Sequence, residues 1–299
     1  MKKAYIILVH KNPDQACRLI QRLDDGSSSF FIHIDEKAAL PPFQKIFDLG
    51  DKVTKVKRVH AKWGELSLVE AIVNGLVAVR KKGVDFERII LLSGQDYPIK
   101  SNRYIDNYFR TSPHKIFMEY FGLPNHAKWQ PNGGLYRVNK YFIGLKPIQL
   151  YTAKALNFLA LILPHARRKI PSGMKPYAGS MWWIIDMAAL NYILHYLQRN
   201  PGYIAFHRHT FAPDEVFFQM LLLNAGDPRI KQNITPNNLH FIKWKDIDAA
   251  HPETFKTKDI NEIITSKALF ARKFDPSKDA GILDLVDRHC LDESIIRNQ

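Results

Sequence analysis

The chain of 299 residues is long enough for one large domain or two ordinary ones, and it can bury a core without disulfides or a structural metal. Its 46% hydrophobic and 24% charged residues are the balance of a soluble globular protein, and its two cysteines, Cys17 and Cys290, exclude a disulfide scaffold and a cysteine-rich zinc site. The formal net charge of +14 favours anionic partners such as nucleic acid, anionic lipid or phosphorylated small molecules.

The N-terminal third alternates between predicted strands and predicted helices. Short apolar runs predict buried strands, and apolar residues at helical spacing follow them. The predicted strands are 4–9, 30–34, 52–59 and 88–92, and the predicted helices are 14–23 and 66–82. This alternation indicates an α/β fold whose largely parallel sheet is covered by helices on both faces. Because ligands bind beyond the carboxyl ends of such strands, His10, Asp35 and Asp96 are candidate site residues, or else ordinary turn and cap residues.

The rest of the chain is less regular. The predicted strands are 116–120, 181–186 and 240–244, and the predicted helices are 188–198, 214–224, 259–266 and 279–289. Segment 124–134 is rich in Gly, Pro and Asn, which predicts a loop over a site. No internal repeat, low-complexity tract or obvious linker interrupts the sequence, so we expect a single domain over 1–299.

Segment 154–169 combines a run of large apolar residues with the basic cluster Arg167, Arg168 and Lys169. We interpret it first as a buried helix with a solvated basic end. The alternative is contact with the surface of an anionic membrane. The apolar run at 4–9 is too short for a signal-peptide core, and no segment approaches the ~20 apolar residues of a spanning helix, so we expect a cytoplasmic protein.

Several common signatures do not occur. The sequence has no GxGxxG after its first strand, and it has no GxxxxGK[ST], HExxH or GxSxG motif. His207 and His209 have no nearby partner that would complete a zinc pattern. The basic residues are scattered, and no nucleic-acid-binding motif stands out, which argues against nucleic acid as the partner.

Five segments, taken in order, carry a resemblance. They are HAKWGELS at 60–67, LLSGQDYPIK at 91–100, GSMWW at 179–183, APDEVFF at 212–218 and LFARKFD at 269–275. From residue 6 to about 292 the chain resembles the core-2/I-branching enzyme family, which includes β-1,6-N-acetylglucosaminyltransferases and is related to peptide O-xylosyltransferases. The resemblance implies a GT-A fold with a mixed central sheet flanked by helices. It also implies a UDP-binding half at about 1–110 and an acceptor-binding half at about 111–299.

The resemblance implies inverting transfer of a sugar from a UDP donor without a metal. Such a displacement needs a base for the acceptor hydroxyl and positive charge for the departing UDP. Glu215 matches the family's catalytic base, whereas Asp214 is explained as a negative charge at a helix N-terminus. Lys273 matches the phosphate-binding lysine, and the adjacent Arg272 either assists it or is simply solvated.

One phosphate-binding residue of the family has no counterpart here. Its second arginine would fall near Ala250, where the sequence has none. His251, Lys256 or Lys258 could substitute, or Lys273 could act with loop donors.

The resemblance also assigns residues to the donor and the acceptor. The expected donor site residues are Val9, His10, Asp35, Trp63, Ser67 and Asp96, where Asp96 contacts the donor sugar or orders its loop. The expected acceptor site residues are Glu119, Trp129, Tyr136, Arg137 and Trp182, with aromatic rings against sugar faces. At least one of Trp182 and Trp183 should be a core residue, because neighbouring strand residues point to opposite faces.

The expected protein is therefore a microbial, cytoplasmic, metal-independent glycosyltransferase without a cofactor, and it is expected at the inner membrane face if the second interpretation of 154–169 holds. UDP-GlcNAc is the first expected donor by resemblance, and UDP-xylose or another UDP-sugar stays open. The acceptor is expected to be a surface polysaccharide or a lipid-linked glycan. The alternatives are a non-catalytic glycan- or nucleotide-sugar-binding protein on the same fold, and a nucleic-acid-binding protein.

Overall fold

The computed structural model describes residues 1–246 and 251–291. Its strands are β1 (Lys3–Val9), β2 (Ser29–Ile34), β3 (Val53–Lys55), β4 (Arg88–Ser93), β5 (Asp96–Pro98), β6 (Ile116–Met118), β7 (Phe121–Gly122), β8 (Tyr177–Ala178), β9 (Trp183–Ile185), β10 (Ile234–Thr235), β11 (His240–Ile242) and β12 (Phe270–Arg272). Its α-helices are α1 (Pro13–Leu23), α2 (Gln44–Phe47), α3 (Ser67–Lys81), α4 (Asn102–Thr111), α5 (Tyr136–Asn139), α6 (Pro147–Ile162), α7 (Met187–Arg199), α8 (Pro201–His207), α9 (Phe217–Leu223), α10 (Pro228–Gln232), α11 (Ile260–Thr265) and α12 (Gly281–Val286).

The central sheet has seven strands in the order β10-β6-β9-β4-β1-β2-β3. Strands β4, β1, β2 and β3 run parallel, whereas β9 is antiparallel to both β4 and β6. Every residue of β1 is buried, and successive side chains alternate between two hydrophobic clusters, with Ile6 in one and Ile7 in the other. The expected α/β fold with a mixed, two-sided sheet is confirmed. The sheet takes strands from both sides of residue 110, and the division into donor and acceptor halves stays a prediction.

A second, three-stranded sheet in the order β11-β12-β5 lies at the carboxyl end of β4. Its strand β12 is antiparallel to β5, and this register sets Arg272 opposite Asp96. The chain segment that follows β12 is thereby fixed beside the end of β4.

Three of the predicted elements differ most clearly from the structure. The strand predicted at 52–59 is only β3, and the helix predicted at 214–224 is divided. A 3-10 turn covers Pro213–Glu215, and α9 begins after Val216, whose φ of −130° and ψ of −40° are not helical. The final helix α12 continues into a π-helical turn, Asp287–Leu291.

Helix α6 contradicts our first interpretation of segment 154–169. It is not a buried helix, because Ala153 is its one buried residue. Its large apolar side chains, such as Ile148 and Leu161, are more than two thirds exposed. Among the described residues, no helix has the length and hydropathy needed to cross a membrane.

Candidate active site

A pocket of about 460 Å³ opens where β1, β2 and β4 end, and this volume suits a small-molecule ligand. Parallel strands bring the polar residues that follow them to this edge of the sheet. Nine predicted site residues line the pocket, namely Val9, His10, Asp35, Trp63, Trp182, Glu215, His251, Arg272 and Lys273. Six others lie outside its lining, namely Ser67, Asp96, Glu119, Trp129, Tyr136 and Arg137.

The cationic part of the pocket is built on Arg272. Its Nη1 donates to Asp96 Oδ1 at 3.0 Å and lies 3.3 Å from Ser93 Oγ, while its guanidinium stacks 4.3 Å from the ring centre of Trp182. Asp96 is completely buried, and its Oδ2 accepts the backbone N–H of Ser93 at 2.7 Å. Asp96 therefore orders the loop that ends β4 and fixes the guanidinium against the wall of the pocket.

Lys273 is the less constrained cation. Within residues 1–246 and 251–291 its ammonium has no ion pair or side-chain hydrogen bond. Burial, Arg272 and Lys11 all lower the pKa of Lys273, because each disfavours a further positive charge there. The following Asp275 binds Lys11 Nζ at 2.6 Å and Asn12 Nδ2 at 3.1 Å, which anchors the segment to the loop after β1. The segment of Lys273 is thus fixed in position, while its ammonium has no ion-pair partner among the described residues.

Glu215 is a carboxylate of the pocket that forms a short ion pair with an arginine. Arg137 Nη1 donates to Glu215 Oε2 at 2.6 Å, and Oε1 accepts no hydrogen bond from the described residues. Burial raises the pKa of Glu215, whereas the charge and hydrogen bond of Arg137 lower it. One carboxylate oxygen is therefore bound and the other is open to a ligand.

Two loops fix the backbone of Glu215. Ala212 has a left-handed φ of 47° and donates its N–H to Gly64 O at 3.0 Å, so the segment before Glu215 is tied to the loop of Trp63. Gly179 donates its N–H to Glu215 O at 2.8 Å. A Cβ at Gly179 would overlap with the backbone oxygen of Glu119, so this close approach requires glycine.

Asp214 also lines the pocket, which our explanation of it as a helix-terminal charge did not anticipate. It is buried and has no cationic partner among the described residues. Burial and the negative charge of Glu215 raise the pKa of Asp214. Of the two neighbours, Glu215 is therefore the better candidate for an ionised base, and Asp214 tends towards its neutral form.

The residues expected to bind an acceptor occupy varied positions. Arg137 lies 3.8 Å from the ring centre of Trp129 and pairs with Glu215. Glu119 lies 3.6 Å from Lys128, and the ring of Tyr136 lies 6.3 Å from that of Phe211. An acceptor-binding role for these residues stays a prediction, whereas the ion pair of Arg137 with the carboxylate of Glu215 is observed.

The tryptophan pair confirms one expectation and corrects its reason. Trp183 is completely buried against Phe218, whereas Trp182 lines the pocket between Arg272 and His240. Both tryptophans nevertheless belong to the same hydrophobic cluster. Strand alternation does not separate them, because β9 begins only at Trp183.

Three residues of the pocket are candidates to replace the second arginine that the resemblance implies, and one of them was expected from the sequence. The position expected for that arginine, near Ala250, lies outside the described residues. His251 lines the pocket, whereas Lys256 and Lys258 do not. Lys37 and Lys62 do line it, although neither was expected to bind phosphate; Lys62 lies in the HAKWGELS segment at 60–67. Lys37 Nζ lies 3.5 Å from Asp35 and donates to Ala61 O at 2.5 Å.

Two more of the expected donor-site residues, Ser67 and Asp35, accept hydrogen bonds from the backbone of nearby loops. Ser67 Oγ accepts the backbone N–H of Lys62 at 2.9 Å and so orders the loop that carries Trp63. Asp35 accepts the backbone N–H of Lys37 at 2.9 Å, which is the turn geometry that we gave as its alternative. Within the described ranges no three His, Cys, Asp or Glu side chains are grouped as metal ligands.

Residues 3–268 match the family described as Core-2/I-Branching enzyme. The chain belongs to the core-2/I-branching enzyme family. The match ends before Arg272 and Lys273, so the place of those two residues in the pocket is known from the structure alone.

Named relatives agree with the family. The chain is 23% identical to "Xylosyltransferase oxt" of Drosophila melanogaster over 90% of its own length and 31% of that protein. It is 24% identical to the mouse N-acetyllactosaminide β-1,6-N-acetylglucosaminyl-transferase over 91% of its length and 68% of that protein. It is also 24% identical to the β-glucuronosyltransferase GlcAT14A of Arabidopsis thaliana over 75% and 47%. These relatives are named for three different sugars, and the chain spans about a third of the xylosyltransferase.

Among solved structures, a nucleoside-diphosphate-sugar pyrophosphorylase from Vibrio cholerae aligns with 70% of this chain and 85% of its own. The TM-score is 0.32 and the identity 13%, which is too low a similarity to support a conclusion about fold or function.

Proposed function

We propose that this protein is an inverting glycosyltransferase of the GT-A type that transfers a sugar from a UDP donor to a glycan hydroxyl. One observation carries the proposal: a single pocket is lined by Glu215 and by the cationic pair Arg272 and Lys273. Nucleotide-sugar transfer needs this combination of a base and a positive site for the departing diphosphate.

In the proposed reaction Glu215 Oε1 accepts the proton of the acceptor hydroxyl. The hydroxyl oxygen then forms a bond to the anomeric carbon on the face opposite UDP. The bond between that carbon and the phosphate oxygen breaks, and UDP leaves with the electron pair. Lys273 and Arg272 stabilise the negative charge that develops on the leaving diphosphate. A single displacement of this kind inverts the anomeric carbon.

We propose that no metal takes part in this step. The support for this proposal comes from Asp96, which stands where metal-dependent relatives of the family are expected to keep a metal ligand. Here one of its oxygens accepts from Arg272 and the other from the backbone of Ser93. A carboxylate bound in this way is not open to a cation, and Arg272 itself supplies positive charge to the pocket.

UDP-GlcNAc is the proposed first donor, since a β-1,6-N-acetylglucosaminyl-transferase is the relative of which this chain covers the larger share. UDP-xylose and UDP-glucuronic acid are the donors to compare, because the other relatives are named for those sugars. A glycan acceptor follows from the same names and is part of the proposal.

The test is donor turnover in EDTA, followed by NMR with each of the three UDP-sugars. We expect one donor to release UDP and to yield a sugar product of inverted, β configuration, and Glu215→Gln to abolish that signal. Retained α configuration, or turnover that requires an added divalent cation, would contradict the proposal. UDP binding without turnover of any donor would favour a non-catalytic nucleotide-sugar-binding protein.

A further inference from the structure

The exposed large apolar residues of this protein are concentrated in one place. Twelve such side chains are exposed among the described residues, and nine of them lie in 145–163, in and around α6. They are Leu145, Ile148, Leu150, Tyr151, Phe158, Leu159, Leu161, Ile162 and Leu163. An exposed apolar patch of this size is unusual on a soluble protein and indicates a site of contact with another protein or with a membrane.

The charge of the residues around α6 indicates which kind of partner this is. Residues 120–185 contain nine Lys and Arg and no Asp or Glu, although the whole chain has 29 acidic residues. Lys140, Lys146, Lys154, Arg167 and Lys169 are exposed, and none has an acidic partner among the described residues. A basic segment without acidic partners, beside an exposed apolar helix, complements a surface with anionic groups outside and an apolar interior beneath them.

The length of α6 sets how it meets such a surface. Its 16 residues span about 24 Å at 1.5 Å per residue, which is less than the ~30 Å hydrocarbon core of a bilayer. It is therefore suited to lie in the interface plane, with apolar side chains among the acyl chains and lysines at the headgroups.

The helix is joined firmly to the rest of the molecule. Asn157 Oδ1 accepts the backbone N–H of Tyr141 at 2.7 Å, and its Nδ2 donates to Tyr141 O at 2.9 Å. Arg168, unlike its basic neighbours, points inward and donates to Arg137 O and to Thr210 Oγ1. The surface is thus a fixed extension of the segment that carries Arg137.

We propose that α6 and its exposed lysines and arginines form a docking surface for an anionic lipid bilayer. This inference does not depend on the proposed reaction, because binding to lipid is measured without donor or acceptor. The two can fail separately.

The experiment is sedimentation of the purified full chain with vesicles of phosphatidylcholine alone, and of phosphatidylcholine with phosphatidylglycerol. We expect binding to the anionic vesicles at low salt and release at high salt. Replacing Lys146, Lys154 and Lys169 together by Gln should lower the partition coefficient about 100-fold. A control with Lys57, Lys81 and Lys231 replaced by Gln removes the same charge from other faces and should stay near wild type.

A second matched pair tests the apolar part. Tyr151→Ser on α6, where the side chain is 70% exposed, should weaken binding, whereas Tyr104→Ser removes a 48% exposed tyrosine from α4 and should not. Equal binding to neutral vesicles, or equal effects of the two lysine sets, would overturn the proposal. The proposal would also be overturned if the wild-type chain did not bind vesicles but formed a dimer, and Tyr151→Ser dissociated that dimer. In that case a second copy of the chain would cover α6.

Discussion

Replacing Arg137 by Met should shift the pH dependence of the reaction upwards. The guanidinium donates to Glu215 Oε2 at 2.6 Å and lowers the pKa of that carboxyl, against the effect of burial. A methionine of similar length removes the charge and the hydrogen bond together. The pKa of Glu215 in the variant must then rise, and a larger fraction of the base is protonated at any given pH.

The size of the shift follows from the strength of the bond. A hydrogen bond to a charged group contributes about 1.5–3 kcal/mol, and one pKa unit corresponds to about 1.36 kcal/mol. The side chain of Glu215 is 34% exposed, so solvent screening favours the lower end. We therefore expect the acidic limb of kcat/KM to move up by about one pH unit.

The assay is kcat/KM for donor turnover from acidic to alkaline pH in wild type, Arg137→Met and Arg137→Lys. Arg137→Lys keeps the positive charge and should shift the limb less. At alkaline pH the Met variant should recover much of its activity, because the base is ionised again. An unmoved limb with a raised KM for the acceptor would refute the electrostatic role and return Arg137 to acceptor binding.

Three further predictions concern the same pocket. Glu215→Gln should abolish transfer while UDP still binds, whereas Asp214→Asn should retain most activity; the reverse order would exchange their roles. Lys273→Ala should weaken UDP binding in calorimetry by about 1.5–3 kcal/mol, because it removes a charged phosphate partner. The control Lys231→Ala should have no effect. Unchanged UDP affinity in Lys273→Ala would exclude Lys273 from the phosphate site. Gly179→Ala should lower the thermal unfolding midpoint and transfer together, because its Cβ overlaps with the oxygen of Glu119; a variant with wild-type stability would show that this backbone contact is not required.

The sequence was most informative about the buried strands and the residues that end them. Continuous apolar runs are characteristic of strands covered on both faces, and β1, β2 and β4 have that environment. Their carboxyl ends meet at one edge of the sheet, which is why His10 and Asp35 line the pocket together.

Other features depend on contacts that periodicity does not encode. Arg137 and Glu215 are 78 positions apart, and no local pattern predicts their ion pair. The pocket positions of Lys37 and Lys62 depend on how the loops after β2 and β3 return to the sheet. For α6, an apolar composition predicts burial, but it cannot say whether protein or another apolar phase provides the cover.

A calorimetric titration of UDP into the protein, with and without EDTA, tests the central claim of a metal-free UDP site most directly. Micromolar binding that EDTA leaves unchanged is the predicted result, because Arg272 and Lys273 supply the charge that the diphosphate needs. Binding that EDTA abolishes would contradict the metal-free site and make Asp96 a candidate ligand, and no binding in either buffer would contradict a UDP-dependent function altogether.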